Sequence, residues 1–287
     1  MSPASRTRPM QHIDRKSLYT SLEARIRYLH SFLDFGPEDI AALMSGSRYI
    51  QALIPAVVNI VYKKLLQYDI TARAFTTRST SFEGPMDEQP DEDSPQILHR
   101  KMFLRAYLKK LCSDPTQMEF WEYLDKVGMM HTGLGRTHPL HIEYVHIGAA
   151  LAVIQDILNE AILSHPKLSL PRKMGIVKAL NKVIWIQNDL FTKWYVHDGD
   201  EYTDGMDFGV IEKEGWLHGK KVLDAEGNES DGSDATASLA DKDKEPPKTK
   251  IPVPAGVCPF TGVSASMAKV KIQDGTNGSG PAVEATS

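Results

Sequence analysis

Val127-Gly128-Met129-Met130-His131 is the stretch on which the reading of this chain turns. It closes an apolar segment that opens with Asp114-Pro115. A second long apolar segment follows, entered through Arg136-Thr137-His138-Pro139 and carrying Ile142-Glu143-Tyr144 and Ile147-Gly148. Both segments have helical spacing. A histidine that ends one apolar helix beneath another can turn its imidazole into a hydrophobic interior while its second nitrogen reaches a backbone carbonyl. Gly128, Gly133 and Gly135 flank it and let the helix stop and the chain turn. The competing reading is a satisfied core or surface histidine. The sharper one is a proximal ligand to haem iron, which needs a neutral imidazole on the metal and a tautomer fixed from behind.

Outward from this stretch the periodicity is helical almost everywhere up to about residue 200. Leu18, Leu22, Ile26, Leu29 and Leu33 recur at spacings of three and four, and Thr20 to Glu23 has the form of a capping box. Gly36-Pro37-Glu38-Asp39 predicts the start of a short helix, with proline and acids in the first turn. A further helix is expected over 47–67, where Pro55 either bends it or marks its true start. Residues 76–95 are polar and acidic and read as a loop. Helices are expected again at 95–112, 115–131, 139–164 and 171–197. No segment longer than a few residues alternates with period two, which argues against a sheet, and the expected fold class is all-α. Helices of unequal length without a heptad seam suit a globin-like helical stack better than a four-helix bundle.

The expected organisation is a flexible N-terminus over 1–14, a helical domain over 15–200, an extension over 201–223 containing Trp216, and a disordered C-terminal tail over 224–287. The tail is rich in Gly, Ser, Asp, Pro and Lys and has too little apolar surface for a core. Hydrophobic residues make up 41% of the 287-residue chain and charged residues 24%, with a formal net charge of −4, a balance that points to neither nucleic acid nor membrane as partner. Cys112 and Cys258 suggest neither a disulfide framework nor a zinc site. With no signal-like N-terminus and no uninterrupted apolar stretch of spanning length, a cytoplasmic protein is expected.

Several separate pieces carry a family likeness. Arg25-Ile26-Arg27-Tyr28-Leu29, Phe35 to Ile40, Ile60-Val61-Tyr62 and Asp69 to Phe75, together with the block ending at His131 and the stretch from Pro139 to Gly148, resemble the protoglobins and the sensor domain of globin-coupled sensors. The likeness covers about residues 15–197. It implies a globin fold with an additional N-terminal helix, binding haem b and diatomic gases: dioxygen, carbon monoxide or nitric oxide. It also implies His131 as the proximal iron ligand, Tyr62 over the distal face and Phe103 as the distal-helix aromatic residue, and it suggests a homodimer through the two long C-terminal helices.

From the residues themselves, Tyr62 follows Val57, Val58 and Val61 and is either a core tyrosine bonded to backbone or a donor to a bound ligand. Phe103 fills core or lines the edge of a cofactor. His99, one turn earlier, either approaches the iron or stands out beside Arg100. His138 and His141 lack partners for a tetrahedral metal set, and Glu143 with His146 lacks the second Glu-x-x-His of a di-iron bundle. Cys258-Pro259 is a dipeptide of the kind that can meet haem through a thiolate. No phosphate loop, nucleophile elbow or apolar-set carboxylate pair is present. The leading function is a haem-binding sensor, store or scavenger of gases rather than an enzyme. The alternatives are a haem redox enzyme (a nitric oxide dioxygenase or peroxidase-like activity) fed by a separate reductase, and a cofactor-free helical interaction protein.

Overall fold

A computed structural model of the chain describes residues 10–206 and 210–223. In chain order the helices are α1 (Arg15–Thr20), α2 (Leu22–Phe32), α3 (Pro37–Leu66), α4 (Asp69–Ala72), α5 (Pro95–Leu111), α6 (Met118–His131), α7 (Tyr144–Ser164), α8 (Leu170–Thr192) and α9 (Asp200–Thr203). A small antiparallel hairpin pairs β1 (Trp216–Leu217) with β2 (Lys220–Lys221). The expected all-α, globin-like stack with an additional helix at its N-terminus is what the chain forms. The expected disorder of 224–287, the start of the flexible N-terminus and Cys258 lie outside the described residues.

Local chemistry explains where the first three helices begin. Asp14 caps α1 by accepting from the Ser17 amide at 2.8 Å. The cap of α2 is Ser21, one position later than Thr20, accepting from the Ala24 amide at 3.3 Å. Asp39 accepts from the Gly36 amide at 3.1 Å and starts α3. The two helices expected from Gly36 and over 47–67 are one continuous helix, with Pro55 inside it. Pro55 faces solvent, where water serves the carbonyl that its missing N–H leaves free, while Ile54, Val57 and Val58 beside it are fully buried. Burial of that face overrides the local break. The helix expected from residue 139 begins at Tyr144, and the one expected to reach 197 ends at Thr192.

The core lies where α3 packs against α5, α7 and α8, and α8 against α6 and α7. A Cβ added at Gly46 would stand 2.9 Å from the Ile176 side chain, so α3 and α8 approach closely there. Gln187, fully buried, accepts from the Tyr107 hydroxyl at 2.5 Å and donates to the Leu124 carbonyl at 3.3 Å, tying α8 to α5 and α6. Arg25 grips Asp189 through two bonds of 2.6 and 2.9 Å, fastening α2 to α8. By length and composition alone α3 and α7 are apolar enough to cross a membrane. In this fold α3 directs its apolar face, from Leu43 to Tyr62, into the core.

Candidate functional site

Between α3, α5, α6, α7 and α8 the helices leave a cavity of about 720 Å³, a size typical of small-molecule and cofactor sites. Val61, Leu65, Met130, Ile147, Ile154 and Phe191 are among the residues that make its walls largely apolar. Three of the four candidate residues, His131, Tyr62 and Phe103, meet on these walls. His99 does not.

His131 is the last residue of α6. Gly133 and Gly135 follow with φ of +92° and +66°, conformations that a side chain would strain, and they turn the chain sharply away. The His131 carbonyl is held by the Ile142 amide at 2.8 Å and the Tyr195 hydroxyl at 3.2 Å, so the residue's backbone is fixed. Its Nδ1 lies 2.7 Å from the Val127 carbonyl, one turn back. A carbonyl only accepts, so Nδ1 carries the proton and the lone pair resides on Nε2. Burial pushes the pKa down to about 4, which keeps the ring neutral at physiological pH. Phe191 packs edge-on at 5.1 Å between ring centroids and limits rotation of the imidazole. The result is a neutral, oriented nitrogen donor on the wall of an apolar cavity.

Tyr62, 7% exposed, reaches the cavity from α3 with its ring 5.6 Å from that of Phe75. Burial raises its pKa, with the Arg100 charge opposing, so the phenol stays protonated. Among the described residues its hydroxyl has no hydrogen-bond partner, which disfavours the reading as a core tyrosine bonded to backbone. Its donor is free for something in the cavity. His99 stands behind Phe103, with ring centroids of Phe82 at 4.8 Å and Phe103 at 4.9 Å and its Nε2 3.2 Å from the Ser81 hydroxyl. Of the two readings left open for His99, the approach to the cavity is not the one that the side chain adopts: one helical turn separates it from Phe103, and Ser81 and Phe82 of the loop over 77–94 hold the imidazole off the cavity wall. The pairing of Glu143 with His146 is a single contact of 3.5 Å, and no group of three or more His, Cys, Asp or Glu that could hold a metal occurs among the described residues.

Sequence reasoning missed a charged cluster on the same walls. Arg100, Arg136 and Glu214 all line the cavity. Arg136 donates to Glu214 at 3.1 Å, and Arg100 donates to the Thr77 carbonyl at 2.6 Å. The Nε atoms of both arginines and the second oxygen of Glu214 are buried without a partner. Burial lowers the pKa of each guanidinium. Burial also opposes ionisation of Glu214, yet the Ser81 and Ser79 hydroxyls and the Arg136 charge hold its carboxyl below the ordinary value. Two cations thus face one anion, leaving an excess positive charge in an apolar setting. The only signal in the sequence was the position of Arg136 and Arg100 beside residues singled out for other reasons.

The family model for protoglobins matches residues 22–201. The chain belongs to the protoglobin family. It is also similar to the globin domain of the Geobacter sulfurreducens globin-coupled sensor, with 16% identity and a TM-score of 0.47 over 59% of this chain and 97% of that one. No curated protein is significantly similar to it. Within this protoglobin, all the candidate residues except Glu214 lie inside the matched region.

Proposed function

We propose that this protoglobin holds haem b in the cavity and binds diatomic gases there (dioxygen, carbon monoxide or nitric oxide) as a sensor, store or scavenger. His131 carries the reading: a neutral imidazole, its tautomer set by the Val127 carbonyl, offers Nε2 on a largely apolar wall. The orphaned N–H groups of Arg100 and Arg136 and their excess charge suit a ring that carries carboxylates. Bound haem supplies an iron centre that takes small diatomic ligands. Tyr62 keeps its proton and offers it to a polar ligand, and Phe103 and the aliphatic walls keep water out. His131 is the iron ligand in this proposal, and Tyr62 and Phe103 are the ligand-side residues. Exposed Val145, Leu163, Met174 and Trp185 on α7 and α8 support a homodimer through these helices.

The purified protein, or the apoprotein given iron protoporphyrin IX, is expected to show a Soret band that shifts on reduction and again with carbon monoxide. A protein that stays colourless after such addition would overturn the proposal.

A further inference from the structure

Glu214 belongs to a segment that the family match does not reach. Residues 210–223 run from Val210 through the small hairpin to Leu223, and the match ends at residue 201. Two of these residues, Glu214 and Leu223, stand on the cavity wall. A third, Gly215, lies flush against another wall residue: with φ at +82°, a Cβ there would sit 3.2 Å from Phe103. The Gly215 carbonyl accepts from the Val222 and Leu223 amides at 2.7 and 2.9 Å, which closes the segment on itself.

Two desolvated ion pairs fasten this segment to the helical body. Lys126 on α6 pairs with Glu212 at 2.6 Å, with side-chain exposures of 7% and 16%, and also donates to the Trp216 carbonyl. Arg136 pairs with Glu214 at 3.1 Å. Glu214 further accepts from the Ser79 hydroxyl at 2.9 Å and the Thr80 amide at 3.1 Å. Breaking a buried pair leaves a stranded charge, so each pair resists opening far more than a surface pair does. The two differ in one respect. Lys126 and Glu212 lie off the cavity wall, whereas Arg136 and Glu214 are on it, and Arg136 spends Nη2 on Glu214 while its Nε has no partner.

We infer that residues 210–223 are a strap that retains the occupant of the cavity, and that Arg136 couples strap to occupant. One edge of its guanidinium latches Glu214, and the positive charge that it brings to the cavity wall attracts a carboxylate of the bound ring. This rests on the haem reading. A carboxylate paired with the guanidinium fixes Arg136 from its second side, and Arg136 in turn fixes Glu214. Occupancy of the cavity is thereby read out in the strap, from which the chain continues directly into residues 224–287.

The test uses the full-length apoprotein, iron protoporphyrin IX and the dimethyl ester of the same porphyrin. Hydrogen exchange of residues 210–223 is followed by mass spectrometry, and porphyrin release is followed by transfer to an excess of a haem-scavenging apoprotein. The diacid is expected to slow exchange in the strap about tenfold, and the diester to bind without doing so. Glu214→Gln and Glu212→Gln are each expected to speed release roughly tenfold, since both unlatch the strap. Glu212→Gln touches no cavity residue and decides the matter if Glu214→Gln fails to fold. Equal exchange in the free and loaded protein, or release at the original rate from Glu212→Gln, would overturn the inference. Failure of both porphyrins to bind would remove the haem reading first and this inference with it.

Discussion

The cavity has two unlike regions. Around His131 the walls are mostly aliphatic and aromatic, and their few polar atoms include a neutral nitrogen whose proton is already committed to the backbone, the unpartnered Tyr62 hydroxyl and the Nε2 of His146, which makes no hydrogen bond. Around Arg136 the same cavity holds three charged side chains with orphaned polar atoms. The first region is close to finished without a ligand, apart from those few atoms. The second is not, because two guanidinium N–H groups and an excess positive charge remain unanswered. A ligand apolar over most of its area, metal-bearing at one point and anionic at its edge answers both regions at once.

Among variants that keep His131, the largest effect is expected where α6 meets α8. A Cβ at Gly128 would come within 2.5 Å of the Leu190 carbonyl oxygen, and Gly128 is three residues before His131. Alanine gains about 1 kcal/mol in helix propensity, but parting two packed helices costs about 1–3 kcal/mol or more, and a backbone atom does not yield as a flexible side chain does. Gly128→Ala is expected to be net destabilising by about 1–2 kcal/mol in urea unfolding. An unchanged or raised midpoint would show that the aliphatic region is looser than described.

Tyr62→Phe sharpens the contrast from the ligand side. If the free hydroxyl donates to a bound polar gas, its loss removes about 1–2 kcal/mol and speeds dioxygen dissociation roughly tenfold, with much less effect on carbon monoxide. Equal changes for both gases in flash photolysis would reduce Tyr62 to packing.

The aliphatic region was legible in the sequence and the charged one was not. Val127 to His131 lies within one helix, so spacing alone puts the imidazole one turn from the carbonyl that orients it. Tyr62 follows a valine stripe on one helix face, and that too is local. Glu214 and Arg136 are 78 positions apart, and Ser79 and Thr80 approach Glu214 from a loop with no periodicity at all. Local patterns report which face of a helix is buried and say nothing of which loops meet. The placement of His99 was hidden for the same reason, since its helical spacing from Phe103 is local but the loop residues Ser81 and Phe82 that hold it are not. The merging of two expected helices across Pro55 has another cause: the packing of α3 outweighs a break on its solvent side.

The smallest effect concerns pH, and it separates cavity burial from ordinary core burial. His30 on α2 sits among Phe35 and Trp121, with ring centroids 4.9 and 5.0 Å away, and its Nε2 is buried without a partner. Burial lowers its pKa below the ordinary value of 6.5. The folded protein then binds fewer protons than the unfolded chain as pH falls below that value, so stability decreases on acidification. His30→Phe is expected to flatten the pH dependence of the apoprotein's melting temperature between neutral pH and the onset of carboxylate titration. A profile unchanged by the substitution would place the acid sensitivity elsewhere.

The most direct test of the central claim is the haem content of His131→Ala, measured by titrating the apoprotein with iron protoporphyrin IX in the absence and presence of free imidazole. The account predicts stoichiometric, tightly held haem in the original protein, loss of that retention in the variant, and its recovery when imidazole fills the vacated place. Haem bound by His131→Ala with the same affinity and the same ferrous spectrum, without imidazole, would contradict it.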